Sequence, residues 1–192
     1  MSAVRGLPLS GDKGVSLIEL IIYSMLSVVV LFIVGSLLIS SLSAQGTVRK
    51  SSQASSTGQL VSKSVTQGIR NASSMQLIVP SAGTQLLKAR TVGAGIDPIW
   101  RCQAWYFGNG EVRHTTSGTT IPTPTPTDVA TWTLLSTGIQ PISGATVFTL
   151  TGRQLDLAMQ VRVDGGNSVL IKTSALRRQP VPDAGESVPT CL

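Results

Sequence analysis

The residues able to do chemistry are few and scattered. His114 is the only histidine in the 192 residues. A catalytic histidine needs a nucleophile or a carboxylate held beside it, and the surroundings EVRHTT (111–116) supply no such spacing. It reads as a surface histidine on a strand. Asp97, Asp156 and Asp164 stand apart and make no calcium loop. Cys102 and Cys191 each lack a partner at metal-ligand spacing. The pair reads as a disulfide in an exported domain, closing a long loop and contributing about 4 kcal/mol by the chain-entropy estimate. Asn71-Ala-Ser73 fits the glycosylation pattern but falls on an expected helix. There is no dinucleotide signature. The expectation is a protein without enzymatic activity, metal or cofactor.

Glu19 is different, because its position is itself the observation. It heads a run, Leu20 to Val48, that contains no Asp, Glu, Lys or Arg. Residues 15–42 are apolar enough for a bilayer, and as a helix they extend about 42 Å. The run is longer than the apolar core of a removed secretory signal. A carboxylate at the membrane costs several kcal/mol unless it finds a partner. A first-turn position gives it part of one through the helix dipole.

The elements around these residues fall into five segments. Residues 1–14 are short, polar and interrupted by Gly and Pro. Residues 15–42 form the apolar helix. Residues 43–75 continue it with a small-residue stripe, Ala44, Val48, Ser51, Ser55, Gly58, Val61, Val65, Ile69 and Ala72, despite Gly46, Gly58 and Gly68. Residues 76–179 turn to strand periodicity, in MQLIVP (75–80), QLLKARTV (85–92), WRCQAWYF (100–107), EVRHTT, TWTLLST (131–137), TVFTLT (146–151), QLDLAMQVRV (154–163) and SVLIKTSAL (168–176). Gly-Asn-Gly at 108–110 predicts a hairpin, Asp164 to Asn167 a second turn, and the Thr-Pro run 117–128 an exposed extended loop. Residues 180–192 read as a coiled tail. The fold class is α+β: a long N-terminal helix whose second half covers an antiparallel sheet with one buried face. Trp100, Trp105, Tyr106 and Trp132 read as core rather than as a binding face. The net charge is +6, with no Lys/Arg run longer than two, so nucleic acid is an open but unsupported partner.

The segment KGVSLIEL (13–20), with the uncharged helix directly after it, resembles the prepilin peptidase recognition site of type IV pilins and type II secretion pseudopilins. The resemblance implies cleavage between Gly14 and Val15 and N-methylation of Val15. It makes Glu19 the fifth residue of the mature chain (19 − 14 = 5), where the family keeps its glutamate. It implies prepilin peptidase, other pilin subunits and the cytoplasmic membrane as partners, with the β domain carried outward on a surface or periplasmic filament. In that family the new α-amine of an incoming subunit meets the glutamate of its neighbour. The sequence departs from many pilins in having no proline from Val15 to Val79; Gly35 is the only soft point in the apolar part. The three helix glycines and the large β domain favour a minor pilin. A pseudopilin is the alternative from the same family. A DNA-capturing or adhesive tip using Arg153, Arg162, Lys172, Arg177 and Arg178, and a plain membrane-anchored domain, are the others.

Overall fold

A computed structural model describes residues 16–93, 99–142, 144, 146–163, 166–181 and 189–192. Gly14, Val15, Asp97 and Asp164 lie outside the described residues, as do the rest of 1–14 and the tail from 182 to 188. The chain divides into two compact units, Met1–Gln45 and Gly46–Leu192. One helix, α1 (Leu17–Arg70), runs through the boundary.

In the first unit α1 presents large apolar side chains on every side. None of its most apolar 18-residue window, of mean hydropathy 2.7, is buried, and the helix is long and apolar enough to cross a membrane. Two of its serine hydroxyls turn back onto the helix. Ser24 donates to the Ile21 carbonyl at 2.9 Å and Ser36 to the Ile33 carbonyl at 2.8 Å, so neither is left unsatisfied in an apolar surrounding. Gly35 interrupts nothing: the helix is continuous through it.

In the second unit, α1 buries Ala54, Gly58, Val61, Val65, Gly68 and Ile69. The stripe was legible from Gly58 to Ile69, but its early members Ala44 and Val48 are exposed. The helix ends at Arg70, not at Met75. Asn71 closes the last turn through its N–H to the Gln67 carbonyl, and its own carbonyl accepts the Val92 N–H. From Ala72 the chain is strand β1 (Ala72–Ile78), paired with β2 (Gln85–Val92). Cross-strand pairing therefore overrides the helical spacing of Ala72, which is buried as a strand residue. The sequon at Asn71 sits at this junction, not within the helix.

The strands form two antiparallel sheets rather than one. The first has the order β1, β2, β3 (Trp100–Gly108), β4 (Glu111–Ser117) and β5 (Thr133–Ser136). The expected β3–β4 hairpin is present, with Asn109 and Gly110 at φ 52° and 74°. Positive φ at both loop residues matches the twist of the flanking strands and suits Asn-Gly. In the second sheet β8 (Gln154–Val161) is central. β9 (Val169–Leu176) takes one edge along its whole length, while β6 (Ile139–Pro141) and β7 (Phe148–Thr151) lie end to end on the other. The alternation in β8 holds: Leu155, Leu157, Met159 and Val161 are buried. The three-residue β6 is too short to register in a periodicity count.

One core lies between the helix and both sheets, joining Val61, Val65 and Ile69 to Leu87, Trp105 and Phe107 and to Phe148, Leu157 and Met159. Two helix glycines mark the closest approaches. A Cβ at Gly58 would lie 2.8 Å from Ile171, and one at Gly68 would lie 2.2 Å from the Trp105 ring. Their cost in helix propensity is offset by letting the helix backbone lie directly on the sheets.

The outer face of the first sheet is not bare either. Leu86, Cys102 and Ala104 are covered by Ile121 and Cys191, with Tyr106 and Trp132 at the margin. Part of the Thr-Pro run is thus packed, not projecting. It also contains a helix that the proline alternation concealed, α2 (Pro126–Thr131). Thr125 caps it: the Thr125 hydroxyl accepts the Asp128 N–H and the Asp128 carboxylate accepts the Thr125 N–H. Pro126 occupies a first-turn position, where its missing N–H is no loss. Arg113 donates to the Ala130 and Trp132 carbonyls and fixes the far end.

Candidate functional site

The first candidate is the head of α1. Glu19 lies in the first turn and is exposed. One turn on, the Tyr23 hydroxyl donates to the Glu19 carboxylate at 3.1 Å. Tyr23 was not singled out in the sequence, although the i, i+4 spacing of an acid and a phenol was there to read. The side chains around the pair, Leu17, Ile18, Leu20, Ile21, Ile22 and Tyr23 itself, are all more than half exposed. Among the described residues Tyr23 is the one side-chain donor to this carboxylate, which has further acceptor capacity.

The second candidate is the disulfide region. Cys102 and Cys191 are bridged, with Cα atoms 5.3 Å apart at a sequence separation of 89. Both are nearly fully buried. The Thr120 hydroxyl donates to the Thr190 carbonyl beside them. The bridge thereby clamps the last residues and the start of the Thr-Pro run to β3. This is packing chemistry and gives no reactive thiol.

The third is a cleft where α1 ends over the first sheet. It holds about 370 Å³ and is lined by Ser64, Gln67 and Asn71 from the helix end, and by Arg101, Gln103 and His114 from β3 and β4. His114 is not a plain surface residue. It pairs with Trp105 across the strands, their ring centroids 5.2 Å apart, and its Nε2 is buried. Desolvation holds its imidazole below the ordinary value of 6.5. As pH falls, the unfolded chain takes up the proton before the folded one does. The stability linked to His114 is thus fully present above about 6.5 and is lost as pH drops through that value toward the lower folded one. The urea midpoint of the detergent-solubilised chain should fall between about pH 7 and pH 5, and fall less in His114→Gln. Equal slopes in the two proteins would refute the assignment.

No protein-family model, no curated protein and no solved structure matches this chain. Its function is therefore argued from these sites alone.

The remaining sequence candidates do not converge. Trp105 is fully buried on the inner face and donates its indole N–H to Ser64 Oγ at 3.0 Å. Trp100 lies under the Arg90 guanidinium, 5.8 Å away, and Trp132 packs beside Tyr106 on the outer cluster. The aromatics make no single binding face. The five cations form no single surface: Arg153, whose guanidinium donates to the Arg177 carbonyl, precedes β8, and Arg162 follows it at the other end of an eight-residue strand of about 26 Å. Arg177 is occupied with the Ser73 carbonyl. Asp156 accepts from Gln154. No cluster of three or more potential metal ligands occurs among the described residues.

Proposed function

We propose that the protein is a minor pilin-like structural subunit of a type IV pilus or related filament. The observation that carries this reading is the combination at the head of α1. A lone acid, four residues beyond a Gly14-Val15 junction, heads a helix apolar on all sides that continues onto an α+β domain. The subunit waits in the cytoplasmic membrane with its N-terminus inside. Prepilin peptidase cuts after Gly14, the α-amine of Val15 is methylated, and the helix then enters the filament beside other pilin subunits. Its role is assembly and not catalysis. The burial of an apolar helix among like helices offsets the loss of lipid contacts, and the Glu19–amine pair sets the stagger. Secretion-type and pilus-type filaments use this same chemistry.

The deciding measurement is the mature N-terminus. Mass spectrometry of the membrane-extracted protein should find it at Val15, carrying one methyl group. In Gly14→Val the full leader should stay on. A wild-type chain that keeps residues 1–14, or a Gly14→Val chain still cut at that bond, would end the proposal.

A further inference from the structure

The cleft at the end of α1 has features that the filament reading does not use. The inner face of β3 runs Phe107, Trp105, Gln103, Arg101. The first two lie in the core under the helix. The last two line the cleft together with Gly68 and Asn71, and with them the face changes from apolar to polar. A simple solvated margin needs no particular polar groups. Here three carboxamides, Gln67, Asn71 and Gln103, converge with the Ser64 hydroxyl, whose oxygen accepts from the Trp105 indole N–H. Among the described residues that line it, Arg101 supplies the one permanent charge and none is a carboxylate. Among the described residues no ion pair occupies Arg101. On the cleft wall the buried Nε2 of His114 has no hydrogen-bond partner among them either. Buried unsatisfied polar atoms are rare enough in folded proteins to need a reason.

We propose that this cleft binds an acidic sugar of the uronic-acid class. Carboxamides and hydroxyls both donate and accept, which is what a ring bearing several hydroxyls requires. A guanidinium is the side chain suited to a single carboxylate. A volume of about 370 Å³ lies at the lower end of the roughly 300–1,000 Å³ span of small-ligand sites and suits one sugar ring. Val92 and the backbone of Gly68 and Gly93 add to the lining. This inference does not depend on the filament reading, and its failure leaves that reading untouched.

The test uses the full chain in detergent micelles, without a histidine tag. His114, the only histidine, is then an unambiguous NMR reporter. Potassium glucuronate should shift the His114 imidazole resonances saturably, at concentrations on the order of 1–10 mM. Acetate should act more weakly, lacking the hydroxyls, and glucose more weakly, lacking the carboxylate. Arg101→Gln should raise the glucuronate dissociation constant about tenfold, the loss expected for one charge-assisted contact. Arg101 is exposed, so this variant leaves the fold in place, which the unchanged chemical shifts of the unliganded imidazole will verify. No saturable shift with glucuronate, an equal response to glucose, or indifference to Arg101→Gln would each overturn the proposal.

Discussion

Glu19→Ala is expected to reach the membrane at wild-type level and to be nearly absent from sheared filaments. The physical reason is asymmetric. Under the proposed filament assembly, an incoming subunit brings an ammonium into an apolar helix bundle, and the carboxylate of its neighbour neutralises it. Removing one member of a desolvated ion pair leaves the other buried and uncompensated, at about 3–5 kcal/mol. That corresponds to a loss of incorporation of at least about 100-fold. Glu19→Gln separates charge from hydrogen bonding. The carboxamide oxygen still accepts from the Tyr23 hydroxyl as the carboxylate does in the native chain. It carries no charge for the amine, so it should fail almost as fully as alanine. Tyr23→Phe should do the reverse: it removes a neutral donor from Glu19 and leaves the charge, and incorporation should stay within a few-fold of wild type, since a single net hydrogen bond contributes about 1 kcal/mol. Immunoblots of the filament and membrane fractions read all three. Glu19→Gln assembling at wild-type level would show that the acid serves its own helix and not a neighbour.

What could be read from the sequence followed the strength of each local signal. The apolar run after Glu19 admits one structure, because a long uncharged stretch satisfies its backbone only as a helix. β2 was read to the residue and β3 to within one, since branched or aromatic residues concentrate in both: Leu86, Leu87 and Val92 in β2, Trp100, Trp105, Tyr106 and Phe107 in β3. The helix end was misplaced because Ala72 is small and apolar enough to suit either period; its pairing with Thr91 is a non-local fact. Helix α2 was hidden by expecting every proline in an alternating run to be extended. The cue was present, in a Thr three residues before an Asp with a proline between them. Two sheets were read as one because the split shows only in which strands pair, and no count along a single strand reveals it. At the candidate sites the same division holds. Glu19 was legible as an anomaly within a uniform segment. The cleft was not, since Asn71, Arg101 and His114 are brought together by the helix end and two strands, and each alone is ordinary.

The residue that most clearly escaped sequence reading is Gln85. It opens β2, was not singled out in the sequence, and is 2% exposed. Its side-chain amide behaves as a peptide unit spliced between the two sheets. Nε2 donates to the Phe148 carbonyl at 2.8 Å, while Oε1 accepts the N–H groups of Val147 and Phe148 at 2.6 and 2.9 Å. β7 pairs only with β8, so without Gln85 these buried backbone groups at its free edge face apolar side chains. Gln85→Leu keeps the volume and removes all three bonds, leaving two donors and one acceptor unsatisfied. At about 1–3 kcal/mol for each such group, and with partial relaxation, the loss should be about 3–5 kcal/mol. Domains of this size have only about 5–15 kcal/mol in total. Gln85→Glu is no remedy: the carboxylate accepts both N–H groups but offers no donor to the carbonyl, and it buries a charge. Urea unfolding of the detergent-solubilised chain, followed by the fluorescence of buried Trp105, measures the loss. A change below about 1 kcal/mol in Gln85→Leu would mean that water or a shifted β7 satisfies the edge instead, and that the two sheets are held together by the apolar core alone.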